Sequence, residues 1–543
     1  MAGRKVYCGM FVIILIITAT IIGVFTGRKQ RMESCPAESF RKAAVAADSA
    51  VCSDVGRDIL LSGGSAADAA VAALLCTSVV NPQSMGIGGG GIFTIMDKNG
   101  TVKVINTRET VPKDFRGNLA ACSYDSTGRP QAQQQWIGVP GQIRGYERVH
   151  RLYGRLPWSS LFQPTIRMAR EGIKISKILA RYLPIAENHR TRQLFVDAEG
   201  NMLKEGDTVK YEKLADTLEK IADHGAEEFY TGETARDLIS DIQEAGGSIT
   251  LEDLRSVEVT EVEPWNVSVG EYTMYFPPPP SGGALVSFIL NVMEGKEGKE
   301  RVPTYHRYIE ACKFAGGLRK FMRDPRFNDI TNASKIIQKE FASYIRKKIT
   351  DNRTHDPEYY SVTSDVDTLG TTHISVLDED GMAVSVTSSI NFIFGSGEYS
   401  PKTGIILNNI LTDFCKETNQ VQAGERPPSS TATMILHSKV TNHTVVIGGS
   451  GGTMITTGMT MALMNFLWFG KSLKDSIKTP VVTLFNKKLN FECNFDKEVI
   501  VALRALGHKV PIFQNAVNAL SKKNGECIQA VSDERKMAKA AGY

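Results

Sequence analysis

Three short stretches of the chain carry residue types that suit chemistry. The first is Gly370-Thr371-Thr372. A threonine hydroxyl is a weak nucleophile unless a base lies beside it. A threonine that begins a chain brings its own base, because a free α-amine titrates at about 7.7–8.0 and takes the hydroxyl proton at physiological pH. For an internal threonine this requires a cut before it. Gly370 has no side chain, so its carbonyl is open to the Thr371 hydroxyl, and the polar stretch 351–370 reads as an exposed loop. The second is Gly448-Gly449-Ser450-Gly451-Gly452, a G-x-S-x-G between a predicted strand and a predicted helix, which is the setting of a nucleophile elbow. Asp475 or Asp496, and then His508, follow in the order a serine triad needs. Against a serine hydrolase, little chain follows Gly452 for the sheet that an elbow requires, and a glycine turn presenting backbone N–H groups explains the same letters. The third is the glycine run Gly86 to Gly91. No Gly-Lys-Ser/Thr follows it and a strand comes next, so close backbone packing is expected rather than phosphate binding.

The elements that must position these residues are legible in outline. Residues 36–63 read as an Ala-rich amphipathic helix ended by Gly63-Gly64. Ser65-Ala66-Ala67-Asp68 has the form of a capping box, opening an apolar helix to about Val80. IFTIMD and VKVINT form a hairpin around Lys98-Asn99-Gly100, and Arg108 sits where its second strand ends. Helical patterns dominate 136–350, interrupted by a strand-rich stretch at 258–276. Thr371 opens a strand–turn–strand unit around Asp378-Glu379-Asp380-Gly381. The body reads as one large α+β domain of layered helices and sheets.

Composition bounds the function. The chain has 543 residues, 42% hydrophobic and 22% charged, which excludes a disordered protein. No stretch after residue 26 approaches the ~20 apolar residues of a membrane span, which excludes a multi-span transporter. The net charge of +4 is concentrated in Arg4, Lys5, Arg28, Lys29 and Arg31, so the body is nearly neutral and has no bulk electrostatic reason to bind nucleic acid.

Val6 to Thr26 carries no charge and spans about 32 Å as a helix, so it is expected to be an uncleaved transmembrane signal-anchor, with residues 1–5 as a cytoplasmic tail. Asn99, Asn266, Asn332, Asn352 and Asn442 each begin an Asn-x-Ser/Thr sequon, which fits a glycosylated extracellular body in single-pass type II orientation at the plasma membrane. The nine cysteines show no C-x-x-C, and no H-E-x-x-H occurs, so a metal site has little support. Cys52 and Cys76 lie on two consecutive predicted helices; spacing alone leaves their pairing open.

Several longer motifs carry a resemblance. Asn-Pro-Gln-Ser-Met-Gly-Ile-Gly-Gly-Gly, DTLGTTHISVLDEDGMAVSVTSSINFIFGS, Arg-Pro-Pro-Ser-Ser and Gly-Gly-Ser-Gly-Gly-Thr, in this order, carry a likeness that covers nearly the whole of 36–543, and they resemble the γ-glutamyltransferases, or glutathione hydrolases. Within that family the chain resembles the animal membrane-anchored type that cleaves cysteinyl leukotriene conjugates. The resemblance implies an N-terminal nucleophile (Ntn) hydrolase fold, a four-layer αββα sandwich. It implies self-cleavage between Gly370 and Thr371, into a large chain 36–370 and a small catalytic chain 371–543 held together without a covalent link. Thr371 matches the nucleophile that forms a γ-glutamyl-enzyme. Arg108 matches the residue that grips the substrate α-carboxylate, and Asp413 the acid that holds the α-ammonium. Asn391, Ser429 and Ser430 match further polar contacts to the glutamyl head, and Gly451 and Gly452 match the oxyanion hole. Cys52 and Cys76 match a family disulfide. The substrates implied are small γ-glutamyl compounds with water, amino acids or peptides as acceptors, and no cofactor is implied.

Two positions depart from the family. Ser389 stands where Thr is frequent, which keeps the hydroxyl. Ile410 stands where relatives carry Glu or Gln against the α-amino group. Losing a hydrogen bond to a charged group costs ~1.5–3 kcal/mol, so weakened turnover is expected, with a catalytically weakened ectodomain of binding function as the alternative.

Overall fold

The computed structural model describes residues 35–36, 38–119, 122, 133–295, 300–361, 370–415, 421–485, 488–508 and 516–543. The predicted tail and membrane span at 1–26 lie outside these. Among the described residues no helix is long and apolar enough to cross a membrane.

Fourteen strands build two antiparallel sheets. In chain order they are β1 (Ser39–Phe40), β2 (Ala44–Ala46), β3 (Gly90–Met96), β4 (Val102–Asn106), β5 (Thr260–Val262), β6 (Trp265–Val269), β7 (Tyr272–Phe276), β8 (Gly370–Leu377), β9 (Ala383–Asn391), β10 (Met434–Ser438), β11 (His443–Ser450), β12 (Ala516–Lys522), β13 (Ile528–Val531) and β14 (Ala541–Gly542). The first sheet runs β14-β2-β8-β9-β3-β4-β5 and the second β1-β13-β12-β11-β10-β7-β6. Each sheet therefore takes strands from both sides of the Gly370–Thr371 bond.

Helices cover the outer faces. The first sheet packs Val45, Phe93, Ile105, Ile374, Val376 and Val386 against α1 (Ala50–Leu61), α2 (Ala66–Val80), α3 (Gln142–Tyr153), α4 (Trp158–Glu171) and α5 (Glu212–His224). The second packs Met274, Phe276, Met434, Leu436, Val445 and Ile447 against α6 (Gly283–Met293), α7 (Arg301–Leu318), α8 (Met454–Leu467) and α9 (Lys497–Ala505). Between the sheets the apolar residues are mostly smaller, among them Ala44, Ala46, Ala383, Val446 and Ala530. Strands β8 and β9 are buried on both faces, between the helices and the second sheet, which gives the helix–sheet–sheet–helix order.

The capping box forms as expected: Ser65 Oγ accepts from Asp68 N at 3.1 Å, and Asp68 Oδ2 accepts from Ser65 N at 3.0 Å. The hairpin of β3 and β4 and the β8–β9 pair also match expectation. The helix predicted over 36–63 does not form as one element. Ser39–Phe40 and Ala44–Ala46 are strands, and the helix begins at Ala50. Ala44 and Ala46 are fully buried and pair with β8 and β14, so tertiary pairing overrides alanine's helical preference. The loop expected at 351–370 is not wholly exposed. Tyr360 is buried and its hydroxyl donates to Glu310 Oε2 at 2.5 Å.

Disulfides join Cys52–Cys76, Cys35–Cys527 and Cys122–Cys415. The first ties α1 to α2. The other two correct the expectation of a purely non-covalent association, because each has one cysteine before Gly370 and one after it. The physical reason lies in the pairing: β1 and β13 are neighbours, with Phe40 opposite Ile528, which brings Cys35 beside Cys527.

Candidate active site

Strand β8 begins at Gly370, and its register against β9 shifts between Gly370 and Thr371. The shift places both residues on one hydroxyl. Ser389 Oγ donates to the Gly370 carbonyl at 2.7 Å, lies 3.1 Å from Thr371 Oγ1, and accepts from Asn391 N at 2.9 Å. A Cβ at position 370 would stand 2.1 Å from the Phe392 carbonyl oxygen, so only glycine fits there. Lys536 Nζ donates to the Thr371 carbonyl at 3.0 Å and also pairs with Asp48. Asp48 accepts in addition from Thr372 Oγ1 at 2.8 Å and Asn518 Nδ2 at 2.7 Å.

The residues of β8 that face the second sheet meet β11 in steps of two. Ser375 Oγ reaches the Val446 carbonyl, and His373 fills the space a Cβ on Gly448 would take. Two residues beyond Gly448 the strand ends at Ser450, followed by Gly451 (φ 115°) and Gly452 (φ 61°). Both glycines occupy backbone conformations that side chains disfavour. Their N–H groups have no acceptor among the described residues, and α8 starts directly after them. His373 itself is neutral: burial pulls it down to about 3. It bonds Thr387 and Ser375 hydroxyls at 2.8 and 2.9 Å.

The residues expected to hold a glutamyl head come together beside this seam. Arg108 is 3% exposed; its Nη1 donates to Ser429 Oγ at 3.0 Å and its Nη2 to Asp413 Oδ2 at 3.3 Å. Asn391 Nδ2 lies 3.2 Å from Asp413 Oδ1 and 2.8 Å from Thr412 Oγ1. Burial pushes the Asp413 carboxyl up, against the opposing pull of Arg108 and Arg319. Ser430 Oγ accepts from Arg319. The arrangement offers guanidinium and hydroxyl donors to a carboxylate, with a carboxylate and an amide oxygen for an ammonium.

Four participants escaped the sequence reading. Arg319 adds a second guanidinium, and Lys536 with Asp48 anchors the Thr371 carbonyl. Glu109, next to Arg108, is fully buried with neither carboxylate oxygen hydrogen-bonded, and burial pushes it up to about 7. Their adjacency to Arg108 or to the chain terminus is no signal by itself. Ile410 is fully buried in an apolar cluster with Val111, Trp136, Leu411 and Phe414, three residues before Asp413.

The serine-triad alternative does not assemble. Ser450 Oγ is buried without a hydrogen-bond partner. His508 Nε2 bonds His306 Nδ1 at 2.9 Å, Asp475 Oδ2 accepts from the Ser472 hydroxyl while the Asp475 amide donates to Ser472 Oγ, and Asp496 pairs with Arg301. His306, Glu310 and His508 do converge. The Lys313 ammonium bonds Glu310 at 3.2 Å and lies 3.3 Å from His508 Nδ1, so the chain already supplies the positive charge there. The glycine run serves packing as expected: a Cβ at Gly89 would stand 2.3 Å from the Ser389 carbonyl oxygen. All five sequon asparagines, Asn99, Asn266, Asn332, Asn352 and Asn442, are exposed.

Two seven-stranded sheets stacked between helical layers give the helix–sheet–sheet–helix fold of the N-terminal nucleophile hydrolases. Solved structures agree: cephalosporin acylase from Bacillus halodurans superposes with a TM-score of 0.83 at 25% identity, covering 93% of this chain and 96% of that one. Helicobacter pylori γ-glutamyltranspeptidase gives 0.53 at 30% identity, covering 58% and 93%. The family is narrower than the fold. The γ-glutamyltranspeptidase model matches residues 52–543, and the chain is 43% identical to glutathione hydrolase 5 proenzyme of Rattus norvegicus over 94% of each. This chain belongs to the γ-glutamyltranspeptidase family of enzymes.

Proposed function

We propose that the protein is a cell-surface γ-glutamyl hydrolase and transpeptidase that uses Thr371 as nucleophile after cutting its own chain at Gly370–Thr371. The observation that carries this reading is the Ser389 hydroxyl, held between the Gly370 carbonyl and the Thr371 hydroxyl. Its hydrogen bond polarises the carbonyl that Thr371 Oγ1 attacks. The peptide C–N bond breaks as an ester forms, the Thr371 nitrogen leaves as an amine, and water hydrolyses the ester to a Gly370 carboxylate. The new amine is then the base. Lys536, bonded to the Thr371 carbonyl, lowers its proton affinity by like charge.

In turnover, Thr371 Oγ1 attacks the γ-carbonyl of a bound γ-glutamyl compound while the α-amine takes the hydroxyl proton. Arg108, Ser429 and Ser430 hold the substrate α-carboxylate, and Asp413 with Asn391 holds the α-ammonium. The Gly451 and Gly452 N–H groups stabilise the tetrahedral oxyanion, at about 3–4 kcal/mol for a donor of this kind. The substrate's amide nitrogen takes that proton from the Thr371 α-ammonium and departs as an amine, leaving a γ-glutamyl ester on Thr371 that water, an amino acid or a peptide resolves. The substrate class is glutathione and its S-conjugates, cysteinyl leukotrienes included. The relative's name, glutathione hydrolase, supports the class. Exposed sequons and disulfides support an oxidising, extracellular setting for the body, with the uncharged stretch Val6 to Thr26 as anchor. Ile410 leaves Asp413 without the neighbour that relatives carry, so substrate binding is weaker.

The test reads chain cutting and activity together. Because Cys35–Cys527 and Cys122–Cys415 cross the cut, the processed protein runs as one band unreduced and two bands reduced, the smaller beginning Thr-Thr-His-Ile. Thr371→Ala remains one chain in both conditions and loses glutamate release from glutathione by about 10^4-fold or more. An uncut Thr371→Ala protein with full activity overturns the reading.

A further inference from the structure

A second cleft, of about 780 Å³, opens between α7, α8 and the start of α9, a size typical of small-molecule sites, which run to ~300–1,000 Å³. Its walls are Tyr305 and Tyr308 from α7, Met461 and Met464 from α8, then Trp468 and Phe495. Phe495 is set edge-on to Tyr305, with ring centroids 5.0 Å apart. Methionine side chains adapt to the shape of a flexible apolar ligand. Phe469 stands at the mouth, 37% exposed.

The rim carries the selectivity. Arg301 pairs with Asp496 at 2.5 Å. Lys471 Nζ donates only to Thr479 Oγ1, at 2.7 Å, and makes no ion pair among the described residues. Asp475 lies close enough to act on Lys471, but it does not line the cleft, and its carboxylate accepts from the Ser472 hydroxyl. Asn494 and Asn465 are uncharged, so the lining residues Arg301, Asp496 and Lys471 sum to one positive charge, with Asp475 behind Lys471 outside the lining. Burial and the neighbouring Arg301 hold Lys471 below the usual lysine range, which an anion at that spot relieves.

We propose that this cleft binds a long-chain amphiphile bearing a single carboxylate, with its tail along Tyr308, Met461, Met464 and Trp468 and its head at Lys471. The site is separate from the γ-glutamyl pocket: Met464 lies about 18 Å along α8 from Gly452 at 1.5 Å per residue. α7 precedes the Gly370–Thr371 bond and α8 follows it, so the ligand spans both segments of the chain.

Photo-crosslinking with a diazirine-bearing palmitate on cells that display the full chain tests this. Peptide mapping is expected to place the label on the segments around Tyr305–Tyr308 and Met461–Phe469. Excess palmitate competes, and the neutral alcohol of the same chain length competes at least ten-fold less well. Lys471→Glu, at a half-exposed position, cuts labelling at these segments by ten-fold or more, and Trp468→Ala lowers it independently. Thermal midpoints equal to the unsubstituted protein confirm that both variants are folded. Label confined to other surfaces, or labelling unchanged in both folded variants, overturns the proposal.

Discussion

The two faces of β8 follow different rules. Toward the helices, Ile374 and Val376 sink into a large apolar cluster with α1–α5. Toward the second sheet, Thr371, His373 and Ser375 meet β9, β11 and β12 through individually partnered polar atoms. Thr387 and Ser375 hydroxyls bracket the His373 ring, Asn518 Nδ2 donates to the His373 carbonyl at 2.8 Å, and Ser385 Oγ donates to the Ile447 carbonyl at 3.0 Å. The helix-facing side is non-directional, so its energy scales with volume. The sheet-facing side is directional, and a hydroxyl freed at one point leaves the next without its partner. Stability is drawn mainly from the first face, and the position of Thr371 from the second.

The largest effect that separates the faces is on stability. Ile374→Ala removes a fully buried side chain from the helix-facing cluster and is expected to cost about 2–5 kcal/mol. Denaturant midpoints read the loss. Activity per folded molecule is expected to stay near that of the unsubstituted protein, because no polar contact to Thr371 changes. A fall in turnover that exceeds the unfolded fraction would show that the two faces are not independent.

The same division governs what the sequence discloses. Short-range devices were legible: the Ser65–Asp68 capping box, the hairpin turn at Lys98-Asn99-Gly100, and the strand–turn–strand after Thr371. Their hydrogen bonds close within a few residues. Ala44–Ala46 was misread as helix because its partners, β8 and β14, lie hundreds of residues away. The Cys35–Cys527 bridge closes a separation of 492 residues and Cys122–Cys415 one of 293, which no spacing rule reaches. At the site, Thr371 stands out from the chemistry of Gly370-Thr371, whereas the roles of Arg108 and Asp413 are legible only through the resemblance of whole motifs. Lys536, Arg319 and Glu109 carry no local mark. Each matters only because the fold brings it against a residue distant in sequence or strips it of water.

Glu109 brings pH into the comparison. Its carboxyl ordinarily titrates near 4.5, and full burial without a hydrogen-bond partner pushes it up to about 7. The unfolded chain ionises first as pH rises, so the stability this group contributes is fully present below about 4.5 and is lost as pH rises to about 7. The total is roughly 3 kcal/mol. The thermal midpoint is therefore expected to decline between those values, and Glu109→Gln to flatten the decline. An unchanged slope in the variant would assign the pH dependence to other groups, with Asp413 next in line because burial raises it too.

The smallest effect is the sharpest probe of the polar face. Ser389→Thr adds one methyl beside Thr371 and keeps the hydroxyl that bonds the Gly370 carbonyl. If the hydroxyl is what this face requires, the methyl costs less than about 1.5 kcal/mol, and chain cutting slows by roughly ten-fold at most. Ser389→Ala is the opposite change: it conserves the compact shape and removes the donor. The Gly370 carbonyl then loses its polarising bond, the Asn391 amide loses its acceptor, and the Thr371 hydroxyl loses its neighbour. Cutting, followed as the appearance of the smaller band on reduced gels, is expected to slow further in Ser389→Ala than in Ser389→Thr. If the alanine variant cuts as fast as the threonine one, volume rather than directed bonding positions Thr371, and the distinction between the two faces of β8 fails at its most important residue.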